Sequence, residues 1–365
     1  MSPARQQGQV GHGASCTLPL FDFGDMATCL QETAPLERVI EYSPSGASTL
    51  RFCQRKYYFR WLMRRRQAWR KESTDHPWRR VQLLNSVKHL PNWAGDLFHQ
   101  SVAHLLNQQL RGRTMDLDEI SDLAVQAAAA QFTFSARRHF VGATKSKVGT
   151  INGISRYLAL FEHVYDLPFD GDALAQTQQK LAQWLGTLFA WSGWEPLLQQ
   201  VRTARRVYVE PQHLYYRLAE ARIAARMDLG IDSRTGEFLI WDWKCYREDD
   251  RFAEYDQFLF RQQLLAYGLW PVLRSDGGAI TLDRVSAQVF NPVTGEDNSL
   301  SFSDDEHSDF ELEVGRWARA HAEVFTDVAE VEFEDFEGPR DTQQSCPWCP
   351  LKGVCGEDIA WATLS

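Results

Sequence analysis

The sequence predicts a mixed α/β fold in which a small sheet lies among helices. Alternating apolar and polar residues, the period of a half-buried strand, are concentrated between about residues 205 and 290. Before and after that stretch, apolar residues recur every three or four positions, as in amphipathic helices. The chain has 365 residues, of which 44% are hydrophobic. It is therefore long enough for one large domain or two modest ones, with ample material for a packed core.

The same composition excludes several classes of protein. No run approaches about 18 consecutive apolar residues, so we predict no membrane span and no membrane partner. The first residues lack the charged, apolar and small-residue pattern of a secretory signal. We therefore expect a cytoplasmic location. There the seven cysteines would stay reduced, which favours metal or cluster binding over disulfides.

The order of the periodic segments divides the chain into four regions. Residues 1–42 show neither a clear helical nor a clear strand period of apolar residues, so we predict a flexible arm. Residues 43–204 are helical, and Ser43-Pro44-Ser45 supplies the cap and first-turn proline of the first helix. Residues 205–300 contain the predicted strands. Residues 301–365 combine an acidic helix with a group of cysteines.

The element boundaries follow from the same periods. The first helix is expected to bury one face, formed by Leu50, Cys53, Tyr57, Trp61 and Leu62. Further helices are predicted at 94–110, 117–138, 151–165, 172–190, 193–202, 254–273 and 305–328. Strands are predicted at 206–210, 221–231, 238–244 and 285–290, with a Thr235-Gly236 turn before the third.

Charge is unevenly distributed along the chain, whose net charge is −9. Residues 51–80 contain 11 Lys and Arg against two acids, whereas residues 301–341 contain 14 acids against three Arg. Because screening limits charge effects to about 10 Å, a local basic patch is enough to attract phosphates. We expect Arg51, Arg55 and Lys56 to contact a nucleic-acid backbone. The alternative is an ordinary solvated basic helix.

Asp242 and Lys244 end the third predicted strand with both side chains on one face, because they are two residues apart. Charges on an apolar strand are costly to bury unless they pair or bind a ligand. Asp228 lies 14 residues before Asp242, and a hairpin of that length can place the two side by side. Mg²⁺ or Mn²⁺ would relieve the repulsion between two such carboxylates. The alternative is a surface ion pair on an edge strand.

Two further sets of polar residues could complete this site. His99 shares a helix face with Val102 and Leu106, so it is predicted to point inward, as a third metal ligand or as a core histidine. Gln263 and Tyr267 are four residues apart on a predicted helix and therefore share a face. Their polar ends could hold a DNA strand or the catalytic loop.

The cysteines near the end of the chain predict a metal or cluster site. Cys346, Cys349 and Cys355 form a C-x2-C-x5-C pattern, and Cys53, 293 residues before Cys346, is the candidate fourth ligand. Four thiolates fit a [4Fe–4S] cluster or Zn²⁺. We favour the iron–sulfur cluster, because the paired C-x2-C motifs of a zinc ribbon are missing. Its role would be structural.

These motifs together resemble the RecB-like branch of the PD-(D/E)xK nucleases, in particular the iron–sulfur AddB-type and CRISPR-associated members. The resemblance spans residues about 43 to 356. It implies a restriction-endonuclease-like core with a helical N-terminal insertion and a C-terminal iron–sulfur knot. It further implies metal ligands (His99, Asp228, Asp242), catalytic residues (Asp228, Asp242, Lys244), an accessory pair (Gln263, Tyr267) and four cluster ligands (Cys53, Cys346, Cys349, Cys355).

The function implied by this resemblance is metal-dependent hydrolysis of phosphodiester bonds in single-stranded DNA or at DNA ends. The setting would be repair, recombination, CRISPR adaptation or phage defence. The sequence has no G-x-x-x-x-G-K motif, so unwinding would require a helicase partner. Two alternatives stay open. One is a catalytically silent DNA-binding or scaffold subunit, and the other is a zinc-stabilised interaction protein with no nuclease site.

Overall fold

The computed structural model describes most of the chain between residues 40 and 355. The described residues are 40–62, 77–143, 147–151, 153–211, 214–245, 254–274, 280–324, 336–339 and 342–355. They all belong to one compact unit. Most of the predicted flexible arm, residues 1–42, lies outside the described residues, and the four-region division stays a prediction. None of the helices in these stretches has the length and apolarity needed to cross a membrane.

The described residues contain both helices and strands, in runs of several helices followed by several strands. The helices are α1 (Pro44–Phe52), α2 (Gln54–Tyr57), α3 (Pro77–Ser86), α4 (Leu90–Leu110), α5 (Leu117–Ala136), α6 (Phe161–Val164), α7 (Ala173–Ala190), α8 (Trp194–Thr203), α9 (Glu254–Leu273), α10 (Asp304–Val324) and α11 (Thr342–Ser345). The strands are β1 (Ile40–Tyr42), β2 (Thr150–Ile151), β3 (Ile154–Ser155), β4 (Arg206–Val209), β5 (Leu214–Leu218), β6 (Ala221–Ala225), β7 (Leu229–Asp232), β8 (Phe238–Trp243), β9 (Val285–Asn291) and β10 (Glu296–Ser301).

A five-stranded mixed sheet lies at the centre, in the order β10-β9-β8-β7-β4. Only the β8–β9 pairing is parallel. Side chains of β8 alternate between two cores. Phe238 and Ile240 enter the core formed with α9, whereas Leu239, Trp241 and Trp243 enter the core formed with α4. The predicted small mixed sheet flanked by helices is thereby confirmed.

The single strand predicted at 221–231 is wrong. It is divided into β6, which pairs with β1 and β5, and β7, which pairs with β4 and β8. The change of sheet falls at the residues between Ala225 and Leu229. Gly230, in β7, leaves room for the Met227 side chain of this connection, because a Cβ on residue 230 would lie 2.5 Å from Met227 Sδ.

Two helix predictions are also wrong. Residues 151–165 form the β2–β3 hairpin and the short α6, because Gly153 turns the chain at φ +88. The first helix ends at Phe52, and Cys53 is extended at φ −157, so its Sγ caps α2. The predicted acidic helix is confirmed as α10 as far as Val324, and the rest of that prediction lies outside the described residues. Strand β10 was missed because its side chains are mostly exposed and lack apolar alternation.

Candidate active site

The β7–β8 hairpin brings two aspartates to one end of the central sheet. Leu229 pairs with Trp241 in the antiparallel register, so Asp228 lies across from Asp242, one step further along the ladder. Asp228 Oδ2 accepts a hydrogen bond from the backbone N–H of Trp243 at 2.8 Å. The Asp242 side chain is buried, with 2% of the residue exposed. Two carboxylates thus lie close together in a region of low dielectric.

Lys244 lies directly beside these carboxylates. Its Nζ is 2.6 Å from Asp242 Oδ2 and 4.8 Å from the centroid of the Phe260 ring. The backbone N–H of Lys244 donates to Phe290 O at 3.0 Å, which continues the pairing of β8 with β9. Because β8 lies between β7 and β9, the alternative of a surface pair on an edge strand is wrong.

His99 reaches the same carboxylates from α4. Its Nδ1 lies 3.1 Å from Asp228 Oδ1. Cys245 lies next to this histidine, since the Cys245 Sγ is within hydrogen-bonding reach of the imidazole. Cys245 also packs against Gly95, where an added Cβ would lie 3.7 Å from Cys245 Cβ. The sequence analysis did not predict this contact, although strand alternation places Cys245 on the α4 side of the sheet.

Charges within this group, which we call the carboxylate site (His99, Asp228, Asp242 and Lys244), offset one another. Burial raises the pKa of Asp242 to about 6, although the Lys244 ammonium opposes that shift. Burial also acts to raise the pKa of Asp228, but His99 and the Trp243 N–H keep it below its usual value. Burial lowers the pKa of His99, but the Asp228 carboxylate outweighs burial and raises it well above its usual value. The protein therefore supplies a partner for each carboxylate.

The Gln263–Tyr267 pair also lies at this site. Gln263 Nε2 donates to Tyr267 Oη on one face of α9. Burial raises the pKa of Tyr267, and the negative charge of Asp242 adds to that rise. The phenol consequently keeps its proton beside the carboxylates, where it can donate a hydrogen bond.

Protein groups contact all three basic residues that were predicted to bind DNA. Arg51 forms an ion pair with Glu313 of α10. Arg55 Nε donates to the Phe336 carbonyl at 2.9 Å, and the backbone N–H of Lys56 donates to Cys53 Sγ at 3.4 Å. The Arg51 and Arg55 contacts join the basic N-terminal helices to the acidic C-terminal segment, whereas the Lys56 contact lies within the N-terminal segment. Contact of these three residues with nucleic acid stays a prediction.

The structure brings together the four cysteines of the proposed cluster, which we call the cysteine site (Cys53, Cys346, Cys349 and Cys355). Cys53 is buried and the other three are partly buried. Burial raises the pKa of Cys355 to about 11, and the neighbouring Cys53, Cys349 and Cys346 thiols add to that rise. Burial likewise raises the pKa of Cys53, with further contributions from Cys349 and Cys346. Four thiols from the two ends of the described chain therefore lie within electrostatic range of one another.

The donor types at both sites fit metal binding, but the donors are not arranged around an ion. Within the described residues, no group of three or more His, Cys, Asp or Glu side chains is placed to hold one. At the carboxylate site, oxygen and imidazole donors suit Mg²⁺ or Mn²⁺, and the buried Asp242 Oδ2 has no well-aligned hydrogen bond. The approach of Lys244 to that oxygen is therefore an ion pair. At the cysteine site, four sulfur donors suit an iron–sulfur cluster or Zn²⁺.

Comparison with known protein families gives a match. The family model described as the PD-(D/E)XK nuclease superfamily matches residues 41–356, which include every residue of the carboxylate site and of the cysteine site. No curated protein matches the chain.

Proposed function

The chain belongs to the PD-(D/E)XK nuclease superfamily, and from this premise we propose that it is a metal-dependent deoxyribonuclease of the RecB-like branch. Membership of the superfamily suggests a nuclease. The proposed substrate is DNA, as single strands or as ends. Its setting would be the cytoplasm, in repair, recombination, CRISPR adaptation or phage defence, with a helicase or another subunit as partner.

One observation carries this proposal: Asp228 and Asp242 lie across neighbouring strands, with Lys244 at 2.6 Å from Asp242. A buried pair of acids is costly unless cations offset it. Here the two offsetting groups are Lys244 and His99. Lys244 can also act on a phosphate substrate, and His99 can bind the metal ion once its ring has lost its proton. A purely structural ion pair would need only one acid.

The proposed reaction assigns a role to each residue of the carboxylate site. Superfamily members typically use Mg²⁺ or Mn²⁺, and His99, Asp228 and Asp242 would hold that cation, which supplies charge neutralisation and acidifies water. Lys244 keeps its proton, because Asp242 raises its pKa against the effect of burial. The ammonium can therefore stabilise negative charge that develops on the scissile phosphate. Tyr267 and Gln263 position the carboxylates or the DNA strand.

The cysteine site is proposed to hold a [4Fe–4S] cluster, with Zn²⁺ as the alternative. Its four residues come from the first helices and from the segment after α11. Binding there would join the two ends of the nuclease fold, so the role is structural. Iron and sulfide analysis of the purified protein distinguishes the two metals.

Cleavage of labelled single-stranded DNA in Mg²⁺ or Mn²⁺ tests the catalytic proposal. Asp242→Ala and Lys244→Ala should each lower the rate about 100-fold or more, the usual effect of removing one group that stabilises the transition state. An RNA strand of the same sequence and a duplex with blunt ends measure substrate preference in the same assay.

Asp232→Asn is a matched control for this assay. Asp232 is also buried on β7, but it pairs with Arg205 at 2.6 Å. Its loss should lower stability and leave the rate per folded molecule unchanged. Equal cleavage by the wild type and both site variants would contradict the catalytic assignment. DNA binding by the wild type without cleavage would favour the silent scaffold.

A further inference from the structure

Trp348, in the middle of the Cys346–Cys349 turn, is 63% exposed. Its ring centroid lies 6.3 Å from that of Phe161, with the two planes tilted by 36°. The tryptophan ring therefore contacts Phe161 of α6, while most of its surface is exposed to solvent. A single exposed apolar side chain is ordinary, so the significance of Trp348 depends on the groups around it.

A lysine is held beside this ring by aromatic contacts. Lys352 Nζ lies 4.8 Å from the centroid of Phe161 and 4.4 Å from that of Tyr165. It also donates to Pro347 O at 3.0 Å. Cation–π contacts to two rings fix the position of this ammonium beside Phe161, the ring that Trp348 also contacts. Phe161 thus contacts the exposed tryptophan and the cation at the same time.

Two more basic groups lie at the same place. The His89 ring centroid is 4.4 Å from that of Phe161. Burial lowers the pKa of His89, and the Lys56 and Lys352 cations lower it further, which places both ammonium groups within range of the imidazole. The nearby acid is Glu162, and its Oε1 accepts a hydrogen bond from the backbone N–H of Leu90 at 3.2 Å. Lys56 and Lys352 therefore supply positive charge near Trp348, and the Glu162 carboxylate offsets part of it.

We propose that Trp348 stacks on a base of single-stranded DNA while Lys56 and Lys352 bind the adjoining phosphates. An exposed aromatic face flanked by cations is the arrangement by which proteins bind single strands without reading their sequence. The proposal deepens the proposed nuclease function and rests on it for the choice of DNA.

The position of this surface in the fold suits a substrate contact. His89 is the N-cap of α4, the helix that carries His99. Ten residues separate His89 from His99, which is about 15 Å along a helix. The surface around Trp348 is therefore connected to the carboxylate site through a single helix, α4.

Fluorescence anisotropy with a labelled oligothymidine, in the absence of divalent cations, tests the surface without cleavage. Trp348→Ala should weaken binding about tenfold or more, whereas Trp348→Phe, which keeps an aromatic face, should retain most of the affinity. Lys56→Gln and Lys352→Gln should weaken binding and reduce its dependence on salt. Leu312→Ala is the control, because Leu312 is similarly exposed, at 55%, on the acidic helix α10.

Photocrosslinking of the wild-type protein to an iodouracil-substituted strand gives a test that does not depend on how the variants fold. Mass spectrometry should locate the adduct on Trp348. Adducts only at other residues, or unchanged affinity of folded Trp348→Ala, would overturn this surface, and DNA cleavage by the same wild-type sample would leave the proposed nuclease function intact. A wild-type protein that neither binds nor cleaves DNA would overturn both.

Discussion

The carboxylate site and the cysteine site both join residues that are distant in sequence. They differ in charge, because the protein supplies a cationic partner for each carboxylate but places the thiols beside one another. At the carboxylate site, Lys244 and His99 offset Asp242 and Asp228. At the cysteine site, four thiols lie near one another, and burial raises the pKa values of Cys53 and Cys355. Ionising several of these thiols together would place like charges side by side. The carboxylate site can therefore form without a metal ion. The cysteines, in contrast, become thiolate ligands only when a metal ion binds.

Backbone structure accounts for this contrast. The aspartates extend from a regular antiparallel ladder, so hydrogen bonds of the sheet fix their separation. The cysteines lie in turns and at a helix cap, where few regular hydrogen bonds set the distances between sulfurs. We therefore expect metal removal to affect stability strongly at the cysteine site and weakly at the carboxylate site.

The largest effect is expected for Cys349→Ala. Loss of one ligand should abolish iron binding together with the brown colour of the protein. It should also lower the free energy of unfolding by on the order of 5 kcal/mol, the estimate for a cross-link that closes so long a loop. Iron analysis and urea denaturation measure the two effects. Cys245→Ser is the control, since Cys245 lies beside His99, and it should retain the iron. A Cys349→Ala protein with unchanged colour and stability would contradict the proposed cluster.

A smaller effect is expected for Lys244→Met. This change leaves the buried Asp242 carboxylate without its cation, which should cost about 3 kcal/mol of stability. Added Mg²⁺ should recover part of that loss, because it supplies the missing positive charge, and should stabilise the wild type less. Denaturation midpoints with and without Mg²⁺ measure the loss of stability and its recovery by the cation.

Lys88→Met provides the matched control for this experiment. Lys88 pairs with Asp96 at 2.7 Å, but 47% of its side chain is exposed. Such surface pairs contribute about 1 kcal/mol or less, so the loss should be small and insensitive to Mg²⁺. If Mg²⁺ stabilises all three proteins equally, the cation does not act at Asp242.

The parts of the site that were predictable from sequence are those set by local backbone geometry. Strand alternation placed Asp242 and Lys244 on one face, and hairpin length placed Asp228 across from Asp242. The contact of Cys245 with His99 and Gly95 was not predictable, because it depends on how closely α4 packs on β8. The division of 221–231 between two sheets was missed for a related reason: β1 and β5 supply its partners, and neither strand had been recognised.

The smallest expected effect tests that packing directly. Glycine inside a helix costs about 0.5–1 kcal/mol relative to alanine. Gly95→Ala should recover this energy, because the new Cβ would meet Cys245 Cβ at an ordinary 3.7 Å. Gly268→Ala on α9 should not increase stability, since its Cβ would lie 3.0 Å from the Phe302 ring and 3.3 Å from Val285. Urea midpoints of the two variants measure the difference. Destabilisation by Gly95→Ala would mean that α4 lies closer to β8, and His99 would then require a different position over Asp228.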